Sequence, residues 1–402
     1  MKNTLTALSP EQARQLTLEH QGLLKAGFGK GKKAALATIE ALGYIQIDTL
    51  AVISRAHHHT LWSRLPDYKE KYLEQLLEDK SIFEYWSHAA SYLPMSDFRF
   101  SLPRKQSYAN GKAHWFEQDK KMKRYVLDRI KAEGPLQSKD FEFKREGPGN
   151  WYEWKPAKRA LEQLFMEGKL MVAKRKSFQK VYDLTDRVLP SHINTSFPKD
   201  KEMAECLIQK AIQAHGIVNE SEITYLRSGF KEPLNKVLKH LLKEGELTEV
   251  KIEGLEKPFY TQATALKKNA GKILKDKNIH FLSPFDNVII QRKRVQNLFD
   301  FDYMIECYLP EPKRKYGYFT LPVLYGDKFI ARFDPKADRA TKTFSIKSIH
   351  FEKKFKPNDS FNMLFASKLK KFAAFNNCDN ISIEKADTAW KKKIISITKN
   401  LQ

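Results

Sequence analysis

An amide and a carboxylate stand two residues apart at Gln46 and Asp48, inside the apolar frame Tyr44-Ile-Gln-Ile-Asp48. In an extended strand alternate side chains share a face, so Gln46 and Asp48 point one way while Ile45 and Ile47 point the other. A carboxylate so placed can stabilise a developing positive charge or hold a water molecule, and the amide beside it can donate or accept hydrogen bonds. Basic runs follow on both sides, Lys30 to Lys33 and Arg55-Ala56-His57-His58-His59, so the pentapeptide reads as chemistry on a polyanion. A plainer reading stays open from these residues alone: Asp48 as the cap of the next helix and Gln46 on a solvated face.

The composition supports a polyanionic partner. Lys plus Arg number 71 against 48 Asp plus Glu, a formal net charge of +23. An excess of that size, spread along the chain, favours nucleic acid over a neutral small molecule, although a basic protein at a membrane surface would look similar. With 42% hydrophobic and 12% aromatic residues the chain is globular rather than disordered. Its 402 residues are enough for two to four domains. Cys206, Cys307 and Cys378 are far apart and form neither a disulfide framework nor a metal-binding pair, which suits a reducing compartment. The N-terminal residues lack the apolar core of a signal peptide, and no run approaches the roughly 18 apolar residues of a membrane span. The expectation is a cytoplasmic protein with no membrane partner and no cofactor.

Internal repeats organise the first two thirds. Leu161-Glu-Gln-Leu164-Phe-Met-Glu167-Gly168-Lys-Leu170 matches Leu238-Lys-His-Leu241-Leu-Lys-Glu244-Gly245-Glu-Leu247, and Leu73-Glu-Gln-Leu76-Leu-Glu-Asp79-Lys80-Ser-Ile82 is a looser third copy. Each reads as the end of an amphipathic helix, a terminator and a strand. Pro156 and Pro233 stand where the helices of the two better copies open, and two strands after the first of them flank the basic tip Lys174-Arg175-Lys176. Helices followed by a basic β-hairpin predict the winged-helix variant of helix-turn-helix, three times over. Such units also mediate protein contacts, so a helical subdomain without DNA contact is the alternative for any single copy.

Beyond about residue 268 aromatic and β-branched stretches dominate, Phe281 to Ile290, Tyr303 to Leu309, Tyr316 to Leu324, Lys328 to Phe333 and Thr341 to Phe351, with a tight-turn signal at Gly326-Asp327. They predict a small β-barrel or strongly curved sheet, closed by a helix near Phe361 to Phe375. The fold class expected is therefore α+β: winged-helix units over 1–114, 115–197 and 198–267, then a C-terminal β-barrel over 268–402.

These residues also carry a family resemblance. Gly43-Tyr-Ile-Gln46-Ile-Asp48-Thr, Arg55-Ala-His57-His58-His59-Thr-Leu-Trp62-Ser-Arg64 and Leu282-Ser-Pro284-Phe285-Asp286-Asn287 resemble the YcaQ/AlkZ-type winged-helix DNA glycosylases. So do Phe301-Asp302-Tyr303, Pro312-Lys-Arg314-Lys-Tyr316-Gly317-Tyr318, Leu321-Pro322-Val-Leu324 and the run Ala331 to Arg339, from about residue 8 to the C-terminus. The resemblance implies a DNA channel within one chain, and with it a monomer. It implies excision of N7-alkylated purines and unhooking of DNA interstrand crosslinks, with double-stranded DNA carrying those lesions as the partner. Its catalytic motif is Gln-apolar-Gln in one branch and Gln-apolar-Asp in the other; Gln46-Ile47-Asp48 is similar to the second, so Asp48 and Gln46 are the catalytic candidates. With no lysine in that motif to form a Schiff base, a monofunctional enzyme without strand cleavage is expected. A crosslinked nucleotide cannot rotate out freely, so catalysis without full base flipping is expected as well.

The candidates for DNA contact are Arg55, His57, His58, Arg64, Lys174, Arg175, Lys176, Lys313 and Arg314. Local ion pairs, core packing or solvated loops explain each of them alone. The histidine triplet lacks partner ligands at zinc-like spacing, so no metal is expected. Asp286 reads as a loop-fixing residue. The competing function is a non-enzymatic winged-helix protein, regulatory or architectural, that holds DNA without cutting it.

Overall fold

The computed structural model describes residues 6–24, 27–114, 117–141, 156–269 and 277–400. The expected junction at 114/115 borders residues outside that set. Helix Gly31–Leu42 buries Ala34, Ala35, Thr38, Ile39 and Leu42 along one face, the spacing of an amphipathic helix. It stops at Gly43, whose φ of 77° is left-handed, a conformation a side chain adopts only at a cost. The chain then enters the strand Ile45–Gln46 within two residues. Thus the terminator of one helix delivers the candidate catalytic amide.

The same topology occurs three times. A two-residue strand pairs with the second strand of a following hairpin, and that strand pairs with the first: Ile45–Gln46, Ala90–Pro94 and Ile82–Trp86; then Leu136–Gln137, Gln179–Leu184 and Leu170–Lys176; then Ile217–Val218, Phe259–Gln262 and Leu247–Ile252. The repeat found in the sequence marks the turn into each hairpin. Gly168 and Gly245 have φ of 75° and 74°, and Lys80 takes the equivalent place in the loose copy with φ of 57°. The third sheet gains a fourth strand from the N-terminus, Thr6–Leu8, parallel to Leu247–Ile252.

The C-terminal part is an open five-stranded sheet, which corrects the expectation of a barrel. Ile279–Phe281, Leu321–Tyr325, Lys328–Asp338 and Thr343–Phe351 run antiparallel in that order, and Asn380–Lys385 adds at the far edge in parallel. Ile279–Phe281 and Asn380–Lys385 form the two edges and do not pair with each other. Helix Asp359–Phe375 supplies the core instead of a closing strand: Phe365 and Phe372 lie 5.1 and 5.7 Å from Phe281, ring to ring. Tyr303 to Leu309, expected as a strand, is irregular backbone. Two register shifts, after Val323 and after Asp334, bend the sheet.

One buried ion pair fastens this part to the helices in front of it. Arg64, beyond the end of helix Ala56–Trp62, donates from two guanidinium nitrogens to Asp286 at 2.7 and 2.9 Å, and both side chains are wholly inaccessible. The rest of the guanidinium donates to the carbonyls of Gln21 and Thr60 and to the Gln21 amide oxygen. Asp286 also accepts the backbone N–H of Val288, and the next residue, Asn287, donates to the carbonyl of Tyr44 at 3.1 Å. The 283–288 turn thereby props the strand that carries Gln46. Removing one partner would leave an uncompensated buried charge. Arg64→Ala is expected to destabilise the fold by about 3–5 kcal/mol; paired Arg64→Met and Asp286→Leu replacements should cost less, both read from thermal melting.

Candidate active site

Gln46 is buried, with 8% exposure, and its strand pairs with Ser91 and Tyr92. Its amide oxygen lies 3.0 Å from Nε2 of His88. An amide oxygen only accepts, so Nε2 of His88 donates. The imidazole sits between two phenol rings, 5.1 Å from Tyr44 and 5.4 Å from Tyr225, both edge-on. Burial, helped by the nearby Arg227 cation, lowers His88 to about 4. The ring is therefore neutral at physiological pH. With its oxygen committed to His88, Gln46 has its amide N–H donors left for a water, a sugar oxygen or a phosphate.

Asp48 lies just past the strand and is half-buried. One carboxylate oxygen accepts the backbone N–H of Leu50 at 2.7 Å. Burial raises Asp48 above the ordinary carboxylate range, and the N–H groups of Leu50 and Thr49 partly offset the rise. Cys307 and Tyr308 feel the Asp48 charge, and Tyr308 is 72% exposed beside it. Their segment also carries Lys313, exposed, and Arg314, which donates to the carbonyl of Leu309 and stacks 4.9 Å from Tyr318. Those two basic candidates thus share a segment with the groups facing Asp48. Behind His88 a cavity of about 150 Å³ is walled by Tyr44, Ser87, Cys206, Tyr225 and Arg227.

The other basic candidates divide. Arg64 is withdrawn from solvent by its ion pair with Asp286, so it cannot meet a phosphate. His57 is buried, its ring stacked 5.8 Å from Phe178, and burial holds it well below its ordinary value. His58 is held at about 3 by burial and nearby arginines, and contacts the Tyr68 hydroxyl at 2.7 Å; its 3.8 Å approach to Glu70 is no ion pair at neutral pH. Neither histidine carries a cation for DNA. Arg175 is not part of a free basic tip: it clasps Glu84 through two nitrogens and lies 4.4 Å from the Phe178 ring, whose other guanidinium neighbour is Arg55 at 4.0 Å. The hairpin folds back on the first repeat, leaving Lys176 exposed and Lys174 partly so. Among the described residues no group of three or more His, Cys, Asp and Glu side chains could hold a metal ion.

His88, Tyr225 and Arg227 were missed by sequence reasoning. His88 follows an aromatic run that reads as core, and nothing near Tyr225 marks it as a partner of a histidine 137 positions earlier.

The site can do one kind of chemistry well. A single carboxylate that can ionise, an oriented amide and neutral aromatic walls suit a reaction whose centre becomes positive and is attacked by water. The chain belongs to the DNA glycosylase AlkZ-like family, which matches residues 39–375, and the protein is a DNA N-glycosylase. Its fold is similar to that of a solved structure, the Streptomyces sahachiroi DNA glycosylase AlkZ. The TM-score is 0.64, covering 95% of this chain and 100% of that one at 13% sequence identity. No helix is long and apolar enough to cross a membrane among the described residues.

Two outcomes test this geometry. Because the folded state raises Asp48, its ionisation is unfavourable for folding: any stabilisation belongs to the protonated form and is lost as pH rises through the raised value. Asp48→Asn is thus expected to melt higher than the wild type at neutral pH, with the difference shrinking as pH falls through the raised value and gone below the ordinary carboxylate value. The acidic limb of the excision profile should sit above that value too. For His88, loss of one positioning hydrogen bond is worth about 1 kcal/mol, roughly a factor of ten or less in rate. His88→Ala should lower single-turnover rate by that much with unchanged DNA affinity, His88→Gln should restore most of it, and no limb should appear near pH 6.5.

Proposed function

We propose that this DNA glycosylase hydrolyses the N-glycosidic bond of N7-alkylated purines and unhooks interstrand crosslinks, as a monofunctional enzyme acting on double-stranded DNA. The observation that carries the reading is the half-buried carboxylate of Asp48, two residues along the chain from an amide oriented by a neutral histidine. Alkylation at N7 makes guanine cationic, so the base leaves with the electron pair of its glycosidic bond and becomes neutral without needing a proton. That removes the need for a general acid, and the neutral His88 supplies none. What remains is to stabilise the oxocarbenium-like sugar and deliver water to C1′, as in glycoside hydrolysis. Asp48 faces the sugar cation, aligns the water and takes its proton; the Gln46 amide N–H holds the water or a sugar oxygen.

In this reading the three helix-and-hairpin repeats are winged-helix units, spanning about 1–114, 115–197 and 198–267. Together with 268–402 they line one channel within a monomer. Phosphate contacts come from Lys174, Lys176, Lys313 and Arg314, with Arg55 at the rim; Arg64 and Arg175 hold structure. Crosslink unhooking follows from the same chemistry, since either N7 linkage leaves a cationic purine.

The test is release of 7-methylguanine from methylated DNA by the purified protein, and of one strand from a DNA crosslinked through N7. If the carboxylate contributes about 3–4 kcal/mol, Asp48→Asn should slow excision roughly 10²- to 10³-fold at unchanged or slightly higher DNA affinity. Full wild-type release by folded Asp48→Asn protein would refute the assignment. Tight DNA binding with no release by the wild type would favour the regulatory or architectural alternative. For six to ten phosphate contacts, affinity should fall about 10³- to 10⁵-fold between 50 and 200 mM salt. Replacing Lys174 and Lys176 should flatten that dependence without abolishing excision at low salt.

A further inference from the structure

The turn that brings Tyr225 to His88 holds a residue that neither folding nor the hydrolytic step explains. Arg227 donates its backbone N–H to the carbonyl of Thr224 at 2.8 Å, closing a four-residue turn over Tyr225 and Leu226. Leu226, at the third place of that turn, has φ of 52°. A left-handed residue there is the usual place for glycine or asparagine, and a leucine takes it only with strain between its Cβ and the backbone. Burial does not compensate: Leu226 is 68% exposed. A lone exposed leucine on helical or extended backbone would need no explanation. This one combines an unfavourable backbone with an unfavourable surface, on a turn that is firmly held.

Both neighbours are anchored. The Tyr225 hydroxyl donates to the carbonyl of Ile290 at 2.9 Å while its ring packs on His88. Arg227 reaches back to the hydroxyl of Ser87, the residue before His88, at 3.3 Å. Among the described residues no carboxylate forms an ion pair with it. The turn therefore points an apolar side chain outward from a base clamped to the candidate active site. It is one residue from the ring against His88, which itself bonds to Gln46.

Resting on the glycosylase reading, we propose that Leu226 is a wedge that enters the base stack of duplex DNA beside the lesion. An apolar side chain inserted at a base step partly unstacks it and bends the duplex, and the surface around a +23 chain favours DNA as the occupant over an apolar protein face. Unstacking at the step next to the lesion exposes the sugar to Asp48 without rotating the nucleotide out of the helix. Tyr225 and Arg227 are positioning residues for the wedge: they fix its base so that the strain is not relieved by the turn collapsing. The cationic Arg227 also suits the phosphate that flanks an opened step.

The experiment uses the full chain and a duplex with 2-aminopurine beside 7-methylguanine, the latter on a 2′-fluorinated sugar that resists cleavage. Wild-type protein should raise the 2-aminopurine fluorescence; Leu226→Ala and Leu226→Gly should leave it near that of free duplex, and Leu226→Phe should restore it. On the cleavable lesion, single-turnover excision by Leu226→Ala should fall roughly ten-fold, with recovery in Leu226→Phe. Leu226→Gly serves as the folding control, because it relieves the left-handed strain and should melt at or above the wild type. Wild-type fluorescence change in Leu226→Ala would overturn the wedge. Failure of the wild type to release 7-methylguanine would instead overturn the glycosylase specificity, and the fluorescence comparison would still decide whether Leu226 enters the stack.

Discussion

The clasp of Arg64 on Asp286 is the constraint from which the candidate site inherits its geometry. A guanidinium and a carboxylate taken fully out of water are costly, and their mutual attraction repays the cost only when every remaining donor and lone pair is met. Here both nitrogens of the fork meet both carboxylate oxygens, and Gln21 and Thr60 take up the other donors. What this gives is register rather than a large net stability. The pair sets the height of the 283–288 turn against the first repeat, and Asn287 transmits that setting to the carbonyl of Tyr44. The strand bearing Gln46 is therefore positioned from behind by a polar bracket that cannot slide, whereas packed aliphatic side chains could.

In front of the bracket the polarity is sparse. Around Gln46, the histidine is neutral and the Tyr44 phenol is held protonated by burial, which raises it far above its ordinary value. Asp48 is a half-buried carboxylate in a chain that is otherwise strongly positive. That asymmetry suits an enzyme on DNA. A broad positive surface draws a polyanion in, and a half-buried carboxylate suits a reacting centre that becomes cationic.

How much of this was legible follows the range of each interaction. Gln46-Ile47-Asp48 and the Ser-Pro-Phe-Asp turn were visible because their residues are consecutive. The repeat was visible because Gly168 and Gly245 recur at one offset, and even the loose copy ending at Lys80 keeps the left-handed turn. The fates of Arg64 and Arg175 were not visible. Their partners lie 222 and 91 positions away, and a basic residue reads the same in the sequence whether it meets a phosphate or a carboxylate. The barrel expectation failed for a related reason. Aromatic and β-branched stretches report strand propensity, but whether a sheet closes depends on what packs against it, and helix Asp359–Phe375 packs Phe365 and Phe372 on Phe281. His88 and Leu226 had no local signature, since one is defined by the rings around it and the other by a backbone angle.

The N-terminal strand has a consequence of another kind. Thr6–Leu8 completes the sheet of the third repeat beside Leu247–Ile252, and Arg14, on the following helix, pairs with Asp327 in the C-terminal part at 2.8 Å. Thr6 thus pairs with Val250, and the Arg14–Asp327 pair closes a span of 313 positions. Contacts of such separation form late and slow the overall search. Helix Pro10–His20 therefore gains this ion pair only once the span to Asp327 is closed. The strand and helix that precede the first repeat are thereby held by the third repeat and by the C-terminal sheet.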